Sequence, residues 1–559
     1  MFDEAQILAG APLAAHLLKQ SGSRESFHMP GNRGGKLFSA HLAAQFFRSD
    51  TTELPSTGDL NEPDGVVALA QRQAAKAFGA GHTFFLTGGA TEGLQTLLLA
   101  YCSRGGRLLC GPGCHRSILF AAALFDIRLS VLPGCNRPVG GAGPKEMRSG
   151  AALPVSRGDG CSGLSPLPRL DPAVLEQRLS QLAAADKLPE AVLVTSPDYY
   201  GATADIKRLS EICRFYNLPL LVDEAHGAHY IFAEAGWLPE PAIRCGATAV
   251  VQSAHKTLPA LTPAAMIHLA TGLPAEQVGR VATCLRLVRT SSPSLLVAQT
   301  IDYARSLMEQ QGAESIRRTI NFLNEVFASP EAAANFVLSG PPPAAAPAGP
   351  DLIAAATEGD SDRLQRRYRL SLPAPGQGGQ GAGSGCRHDR LRLVIDTGAI
   401  GPAPVLAAGL AAAGIEIELA DLRRLVLIIS PFSSLAALEQ LKATLVDLAQ
   451  KHTFNPSAQT TLANLDRRLS EAYAQGHEAP RAELLLPPCG RQLEALTPQA
   501  AVGRILACSP TPYPPGIPLF LPGDRLTQAA ADLLDELEEN GLSCQYLSAA
   551  PSDQLLVLK

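Results

Sequence analysis

Between about Gly65 and Met266 the chain alternates short apolar runs with longer amphipathic stretches, and no other feature restricts its fold more. The clearest unit starts with the apolar run 191–195 (AVLVT), continues with apolar residues spaced three and four apart, and ends with a second apolar run at 219–222. This order is typical of a βαβ unit in a mostly parallel sheet. We therefore predict an α/β fold with Asp223 at the carboxyl end of a parallel strand, where such sheets bind ligands.

Composition and charge exclude several classes of protein. Hydrophobic residues make up 46% of the 559 residues, too many for a chain that is disordered throughout. The net charge is −5 and no basic patch is present, so we expect no nucleic-acid partner. No apolar run approaches the roughly 18 residues that cross a bilayer, and Asp3 and Glu4 stand where a signal peptide carries positive charge. We expect a cytoplasmic protein without a membrane partner.

The 12 cysteines are scattered and form no CxxC pair. Their one local cluster, Cys110, Cys114 and His115, has no matching second half elsewhere in the chain. We therefore expect reduced thiols and no metal site.

Two stretches rich in Gly, Pro and Ser, 135–170 and 340–388, interrupt the alternating pattern and are typical of mobile insertions or linkers. After the second stretch, apolar runs flank a helical run at 403–413, which predicts a small α/β domain. The predicted units are an N-terminal arm (1–60), a large domain (61–335, with the flexible insertion 135–170), a low-complexity linker (336–388), the small α/β domain (389–451) and a C-terminal domain (452–559).

Three segments in the large domain carry groups suited to chemistry. Residues 84–93 (FFLTGGATEG) predict a strand, a small-residue turn and the start of a helix, where backbone N–H groups can cradle a phosphate. Residues 221–229 (LVDEAHGAH) place Asp223 at a strand end beside a small residue and a histidine. Residues 253–259 (SAHKTLP) follow an apolar run and contain a lysine that could form a Schiff base if its pKa is depressed. Each segment alone is more typical of a plain turn, a solvated cluster or a surface lysine.

The order of the three segments is more specific than any one of them. A phosphate turn, an acidic strand end and a lysine about thirty residues later are the layout of pyridoxal-phosphate enzymes with the aspartate-aminotransferase-like fold, fold type I. More closely, the chain resembles the Orn/Lys/Arg decarboxylase family, in particular its shorter bacterial members without a receiver-like N-terminal domain. The motifs that carry this resemblance are SFHMPGNRGG (26–35), DTTELP (50–55), GGATEG (88–93), CHRSI (114–118), TSPDYYGATADI (195–206), LLVDEAHGAHY (220–230), SAHKTLPALT (253–262), RTSSPS (289–294) and PYPPGIPLFLPGD (512–524).

The resemblance implies a role for particular residues of the predicted pyridoxal-phosphate-binding large domain. Lys256 would bind the cofactor covalently and Asp223 would pair with its pyridine nitrogen. His115 and Ala225 would lie on opposite faces of the ring, and His226 would line the substrate side as a second catalytic residue. The implied phosphate ligands are Ala90, Thr91, Ser253 and His255, together with Ser291 and Ser292 from the partner subunit of a homodimer or higher homo-oligomer.

The implied activity is decarboxylation of a basic amino acid to a polyamine precursor, with arginine slightly favoured over lysine or ornithine. Glu53, Asp59 and Asp524 are candidates for the acidic partner of the substrate's basic tail. The chain departs from the family pattern at Asn32, Arg33, Ala90, Pro263 and Cys508, and over residues 58–63 (GDLNEP).

Two other functions stay open from the sequence. The first is another fold-type-I reaction, either aldol cleavage or aminotransfer, for which Arg392 could bind an α-carboxylate. The second is a catalytically weak regulatory homologue, which the altered motifs would suit.

Overall fold

The computed structural model describes residues 11–20, 25–134, 165–327, 336–338, 368–370, 388–452, 456–477, 493–513, 515–546 and 554–559. Its helices are α1 (Pro12–Gln20), α2 (Ala40–Gln45), α3 (Gly65–Phe78), α4 (Gly89–Tyr101), α5 (Arg116–Leu124), α6 (Pro172–Ala184), α7 (Ile206–Phe215), α8 (Ala254–Thr257), α9 (Ala275–Val288), α10 (Leu295–Phe327), α11 (Ala403–Ala412), α12 (Leu435–Lys451), α13 (Pro456–Tyr473) and α14 (Gln528–Glu539). Short 3-10 helices occupy Phe46–Ser49 and Tyr230–Phe232.

The strands fall into one large sheet and several smaller ones. They are β1 (Glu25–Phe27), β2 (His82–Leu86), β3 (Arg107–Cys110), β4 (Arg128–Val131), β5 (Ala191–Thr195), β6 (Leu220–Asp223), β7 (Ala249–Gln252), β8 (Ala265–Leu269), β9 (Phe336–Leu338), β10 (Tyr368–Leu370), β11 (Arg392–Asp396), β12 (Ile415–Ile417), β13 (Leu419–Ala420), β14 (Arg424–Ile428), β15 (Leu493–Leu496), β16 (Thr511–Pro512), β17 (Cys544–Gln545) and β18 (Leu555–Leu558).

A seven-stranded sheet in the order β2-β8-β7-β6-β5-β3-β4 forms the centre of the large domain. All its pairs are parallel except the two that β8 makes, with β7 and with β2. The predicted βαβ unit is confirmed as β5, α7 and β6, with every residue of β6 buried. The Asp205 side chain caps α7 by accepting from the N–H of Arg208, which fixes where the helix begins.

Because β2, β3, β5, β6 and β7 run in the same direction, their carboxyl ends meet at one edge of the sheet. Register places Thr195 beside Asp223, and Asp223 beside Val251. The turn after β2, the loop after β3 and the helix α8 after β7 therefore open at the same edge as Asp223. The α/β fold that the sequence predicts is confirmed.

The predicted small domain contains the expected strands and helix, β11, α11, β12 and β14. Its five-stranded sheet also includes β9 and β10, which fall inside the range predicted as linker, so the ends of that range contribute to the fold. Strand β1 of the N-terminal arm pairs in parallel with β12. The rest of the linker, 339–367 and 371–387, lies outside the described residues.

The last residues of the segment 135–170, predicted to be a flexible insertion, are packed in the structure. Residues 135–164 lie outside the described residues, but Leu167 and Leu170 are buried, and Ser165 Oγ donates to Asp198 Oδ2 at 2.7 Å. The apolar side chains of 165–170 are therefore part of the core beside β5.

The hydrophobic cores connect the predicted units. One core joins helices α3 and α10 of the large domain to α11 and α12 of the small domain. A second joins α13 and α14 of the C-terminal segment to residues of β11 and β14. None of the described helices is long and apolar enough to cross a membrane.

Candidate active site

Lys256 lies on the short helix α8, directly after the buried strand β7. Its Nζ is 2.9 Å from Nε2 of His226, which follows β6 on the next loop. Burial lowers the pKa of Lys256; the nearby carboxylates of Asp223 and Glu418 oppose this effect, and Arg392 adds to it. A lowered pKa increases the fraction of lysine present as the uncharged amine, which is the nucleophilic form.

The contacts of His226 determine where its proton lies. Nη2 of Arg392 is 2.9 Å from His226 Nδ1, and a guanidinium can only donate. Nδ1 therefore accepts, and the single proton of a neutral imidazole is on Nε2. The Nε2–H then donates to Lys256 Nζ, which can accept only as a neutral amine. Burial and the neighbouring Lys256 and Arg392 hold the pKa of His226 well below its usual value, in agreement with a neutral ring.

Asp223 is 4% exposed, at the end of β6. Its Oδ1 accepts from the N–H of Ala225 at 3.2 Å, a local contact that holds the side chain at the sheet edge. Burial raises the pKa of Asp223, and Lys256 opposes the rise. A buried carboxylate in this position would be stabilised by a further cation such as a protonated ring nitrogen.

His115 occupies the start of α5, where its Nδ1 is 2.8 Å from Ser117 Oγ. Burial, with help from Lys256 and Arg116, lowers its pKa to about 3, so the ring is neutral and can lie flat against an aromatic ligand. Ala225 is buried and contributes only a methyl group. The structure thus places His115 near Lys256, and Ala225 next to Asp223.

The residues predicted to bind phosphate come from two places, the segment after β7 and the first turn of α4. Ser253 Oγ is buried and has no hydrogen-bond partner among the described residues, while His255 Nδ1 is 2.8 Å from the carbonyl of Ala264. Ala90 and Thr91 are in the first turn of α4, whose N-cap Gly88 makes no side-chain capping bond. An unpartnered hydroxyl and the positive end of a thirteen-residue helix at one sheet edge suit an anion.

Together these groups fit pyridoxal phosphate. The chain offers a neutral amine for its aldehyde, a buried carboxylate for its ring nitrogen and an anion cradle for its phosphate. Ser291 and Ser292 are exposed on the single chain, in the loop between α9 and α10. Their predicted role at the partner subunit's phosphate remains a prediction.

The acidic candidates from the sequence are placed differently from one another. Asp524 accepts from the N–H of Leu521 and pairs with His477 at 3.0 Å, and Asp59 accepts from the N–H of Asn61. Glu53 is half-buried. None of these three carboxylates is among the groups that shift the pKa of Lys256. Cys508, one of the departures from the family pattern, is fully buried in the C-terminal core.

Glu418 is an acidic residue that the sequence reasoning missed. It accepts from the Tyr199 hydroxyl and, at 3.0 Å, from the N–H of Met29. The Tyr199 ring packs edge-on against His226, with centroids 4.8 Å apart. No signal in the sequence points to Glu418 itself, because it is in a small-domain segment about 160 residues beyond Lys256. Its partner Tyr199, in contrast, is part of the family motif 195–206.

One departure from the family pattern, Asn32, contacts the segment that follows Lys256. Asn32 is buried, and its side-chain amide donates to the carbonyl of Ala260 at 3.1 Å. The neighbouring departure, Arg33, pairs with Glu25 at 2.8 Å. A Cβ on Gly31 would lie 2.6 Å from the carbonyl of Leu258, so glycine is required where the arm approaches this loop.

Comparison with known proteins agrees with this geometry. The model of the Orn/Lys/Arg decarboxylase major domain matches residues 11–128 and 160–337, and that of the family's C-terminal domain matches 485–543. The chain is 27% identical over 539 residues to the uncharacterized protein YaaO of Bacillus subtilis, covering 95% of each chain. It is 26% identical to an arginine decarboxylase of the same organism, covering 96% of this chain and 95% of the other.

Among solved structures, the lysine decarboxylase LdcF of Francisella novicida aligns with a TM-score of 0.66 at 19% identity, covering 98% of this chain and 81% of the other. Lysine decarboxylase A of Pseudomonas aeruginosa aligns with a TM-score of 0.65 at 20% identity, over 98% and 80% of the two chains. These alignments support the fold. Since the major-domain model alone spans more than half of the sequence, the chain belongs to the Orn/Lys/Arg decarboxylase family of pyridoxal-phosphate enzymes.

Proposed function

We propose that the protein decarboxylates a basic amino acid, with arginine preferred over lysine and ornithine. The observation that carries the proposal is the contact between Lys256 Nζ and His226 Nε2, at the same sheet edge as the buried Asp223. Several relatives named arginine decarboxylase align with more than nine-tenths of the chain, which supports arginine as substrate.

The residues at the sheet edge would hold the cofactor in the roles predicted from the sequence. Lys256 would bind it covalently, Asp223 would keep its ring nitrogen protonated, and Ser253 with the first turn of α4 would bind its phosphate. Bound pyridoxal phosphate supplies an electron sink when the carboxylate leaves as CO₂. Asp223 makes that sink stronger, because a buried carboxylate favours the protonated ring nitrogen.

His226 and Lys256 would manage the proton that replaces CO₂. The structure brings His226 Nε2 within 2.9 Å of Lys256 Nζ, with the ring's Nδ1 facing Arg392. The two residues would share a proton that the substrate's ammonium group brings into the site. They would deliver this proton to the substrate's α-carbon, while the contact with Arg392 keeps the His226 ring oriented.

We propose Glu418 as the acidic partner of the substrate's basic tail. Its negative charge reaches Lys256, and it is held by Tyr199, which packs against His226. A carboxylate that is already oriented by two donors can pair with an ammonium or guanidinium group at little entropic cost. Glu53, Asp59 and Asp524 lack this link to the lysine.

We further propose a cytoplasmic homodimer or higher homo-oligomer, in which Ser291 and Ser292 reach the phosphate of the partner subunit. The exposure of both serines on the single chain supports this arrangement. The domain boundaries predicted from the sequence remain our proposal for how the chain is divided.

The test is a screen of the purified protein, loaded with pyridoxal phosphate, for CO₂ release from arginine, lysine and ornithine. We expect the highest kcat/KM with arginine. Lys256→Ala should remove both the visible absorbance of the lysine-bound cofactor and the turnover, while Lys207→Ala on the exposed face of α7 should change neither. Normal turnover by Lys256→Ala would refute the assignment.

Aminotransfer is the second candidate, because the structure brings Arg392 to His226 beside the lysine. In aminotransferases an arginine binds the α-carboxylate. Product analysis separates the two reactions: an amine with CO₂ supports decarboxylation, and a keto acid supports transfer.

A further inference from the structure

A buried ion pair joins the predicted phosphate turn to the far end of α9. Arg289 Nε donates to Glu92 Oε1 at 2.9 Å, and the two side chains are 2% and 6% exposed. Glu92 is in the first turn of α4, and Arg289 caps the end of α9. Neither residue has a role in the function proposed above.

Both partners are fully engaged with the backbone around the turn. Glu92 Oε2 accepts from the N–H of Thr87 at 3.1 Å and of Gly88 at 2.6 Å. Arg289 donates to the carbonyl of Leu60 at 2.7 Å and to that of Phe85, the last but one residue of β2. The pair therefore ties together the strand before the turn, the turn itself, the helix after it and the N-terminal arm.

Glu92 satisfies the N–H groups that precede α4 and leaves those of the first turn free to face a ligand. Its charge, however, lies at the helix end where an anion would bind, and two negative groups there would repel each other. Arg289 neutralises that charge. A buried carboxylate that loses its paired cation is costly, so the turn depends on the pair more than on either residue alone.

We propose that Arg289 and Glu92 are positioning residues that set the geometry and charge of the phosphate turn, and so determine selectivity for a phosphorylated cofactor. The inference rests on the proposed placement of the cofactor phosphate at Ala90 and Thr91. Arg289 also precedes Ser291 and Ser292 by two and three residues. The same pair would therefore align the segment proposed to reach the partner subunit's phosphate.

The test compares pyridoxal phosphate with pyridoxal, which has the aldehyde and no phosphate. The apo-protein is titrated with each, and the visible absorbance of the lysine-bound aldehyde gives two dissociation constants. Arg289→Met should weaken binding of pyridoxal phosphate by about tenfold or more and change that of pyridoxal by less than about twofold. The double variant E92Q/R289M should recover part of the loss, because it removes the unpaired charge.

Arg286→Met is the matched control. Arg286 is one turn earlier on the same helix and pairs with Glu62, but both side chains are exposed, so its removal should leave both constants unchanged. Equal losses for the two aldehydes, or an R289M variant that behaves like R286M, would overturn the proposal. If R289M does not fold, R289K takes its place. R289K should weaken binding of pyridoxal phosphate by a smaller factor, and by more than it weakens binding of pyridoxal. A ratio of the two dissociation constants equal to that of the wild type would overturn the proposal.

A second measurement avoids the aldehyde. Inorganic phosphate should raise the melting temperature of wild-type apo-protein and of Lys256→Ala, and should raise that of R289M less. If R289M responds as strongly as the wild type, the proposal fails. A wild type that shows this phosphate response but releases no CO₂ would instead count against the proposed decarboxylation alone.

Discussion

Arg392 shows how one side chain can fix the protonation of another. Its donation to His226 Nδ1 requires the proton on Nε2, and this in turn requires a neutral Lys256. The sequence could not indicate this role, because Arg392 is 136 positions beyond the lysine and β11 brings it back. The sequence suggested Arg392 only as a ligand for the α-carboxylate in the alternative aminotransferase reaction.

Removing the donor at position 392 should therefore raise the pKa of Lys256. We expect Arg392→Met to move the pH midpoint for acylation of Lys256 in apo-protein upward by about one unit or more. Arg392→Gln loses the charge and keeps an N–H donor, so its midpoint should move less. Acylation is followed by mass spectrometry of the lysine-containing peptide, with exposed Lys207 as internal reference. Equal shifts in the two variants would mean that charge alone acts on the lysine.

Glu418→Gln removes the charge proposed to meet the substrate's tail and retains two acceptor or donor sites for Tyr199 and Met29. We expect KM for arginine to rise about tenfold with kcat changed by less than about threefold. Glu416→Gln is the control. Glu416 is on the same segment, two positions before Glu418, but its carboxylate pairs with His28. An unchanged KM in Glu418→Gln would exclude this residue as the specificity determinant.

Among the strands of the large sheet, a chain of buried polar side chains crosses from β2 to the residue that follows β6. Thr83 Oγ1 is 2.8 Å from His268 Nδ1, His268 Nε2 is 3.1 Å from Gln252 Oε1, and Gln252 Nε2 donates to Glu224 at 2.6 Å. Glu224 also accepts from the N–H of Ala242. This series of hydrogen bonds satisfies the polar side chains inside an otherwise apolar sheet, and it ends at Glu224, next to Asp223.

Burial raises the pKa of Glu224 to about 8, and this predicts a pH dependence of stability. Between the unfolded value of about 4.3 and about 8 the native state binds more protons than the unfolded state, so the free energy of unfolding falls as pH rises through this window. Glu224→Gln has no such titration. Its free energy of unfolding, relative to wild type, should therefore increase from pH 5.5 to pH 8.5, as measured by urea denaturation of apo-protein. A difference that is constant with pH would contradict the assignment.

The candidate active site is assembled from segments that lie far apart in the chain. The predicted large domain contributes Lys256, Asp223 and His226, whereas the predicted small domain contributes Arg392 and Glu418. The shared core between α10 and α12 holds the two parts together. Gly201 is a point of close approach: a Cβ there would lie 2.7 Å from Cβ of Arg392.

Gly201→Ala should therefore impair catalysis by displacing Arg392. Gly201 has φ of 91°, and Gly236 has φ of 84° with open space around it, so Gly236→Ala controls for backbone strain alone. We expect Gly201→Ala to lose about tenfold or more in kcat while it still binds pyridoxal phosphate. Gly236→Ala should keep kcat close to wild type. Equal kcat values in the two variants would mean that the approach to Arg392 does not matter.

Sequence alone predicts the parallel sheet, the segments after its strands that hold Asp223 and Lys256, and the family, because these depend on local periodicity and on motifs of a few adjacent residues. It did not reveal Glu418, the tautomer lock through Arg392 or the pair between Arg289 and Glu92. Those contacts join residues 166 to 219 positions apart, for which no local pattern exists. Only the packing of the small domain and of α9 against the sheet decides which distant charges meet there, since buried charges are stable only where a partner is within reach.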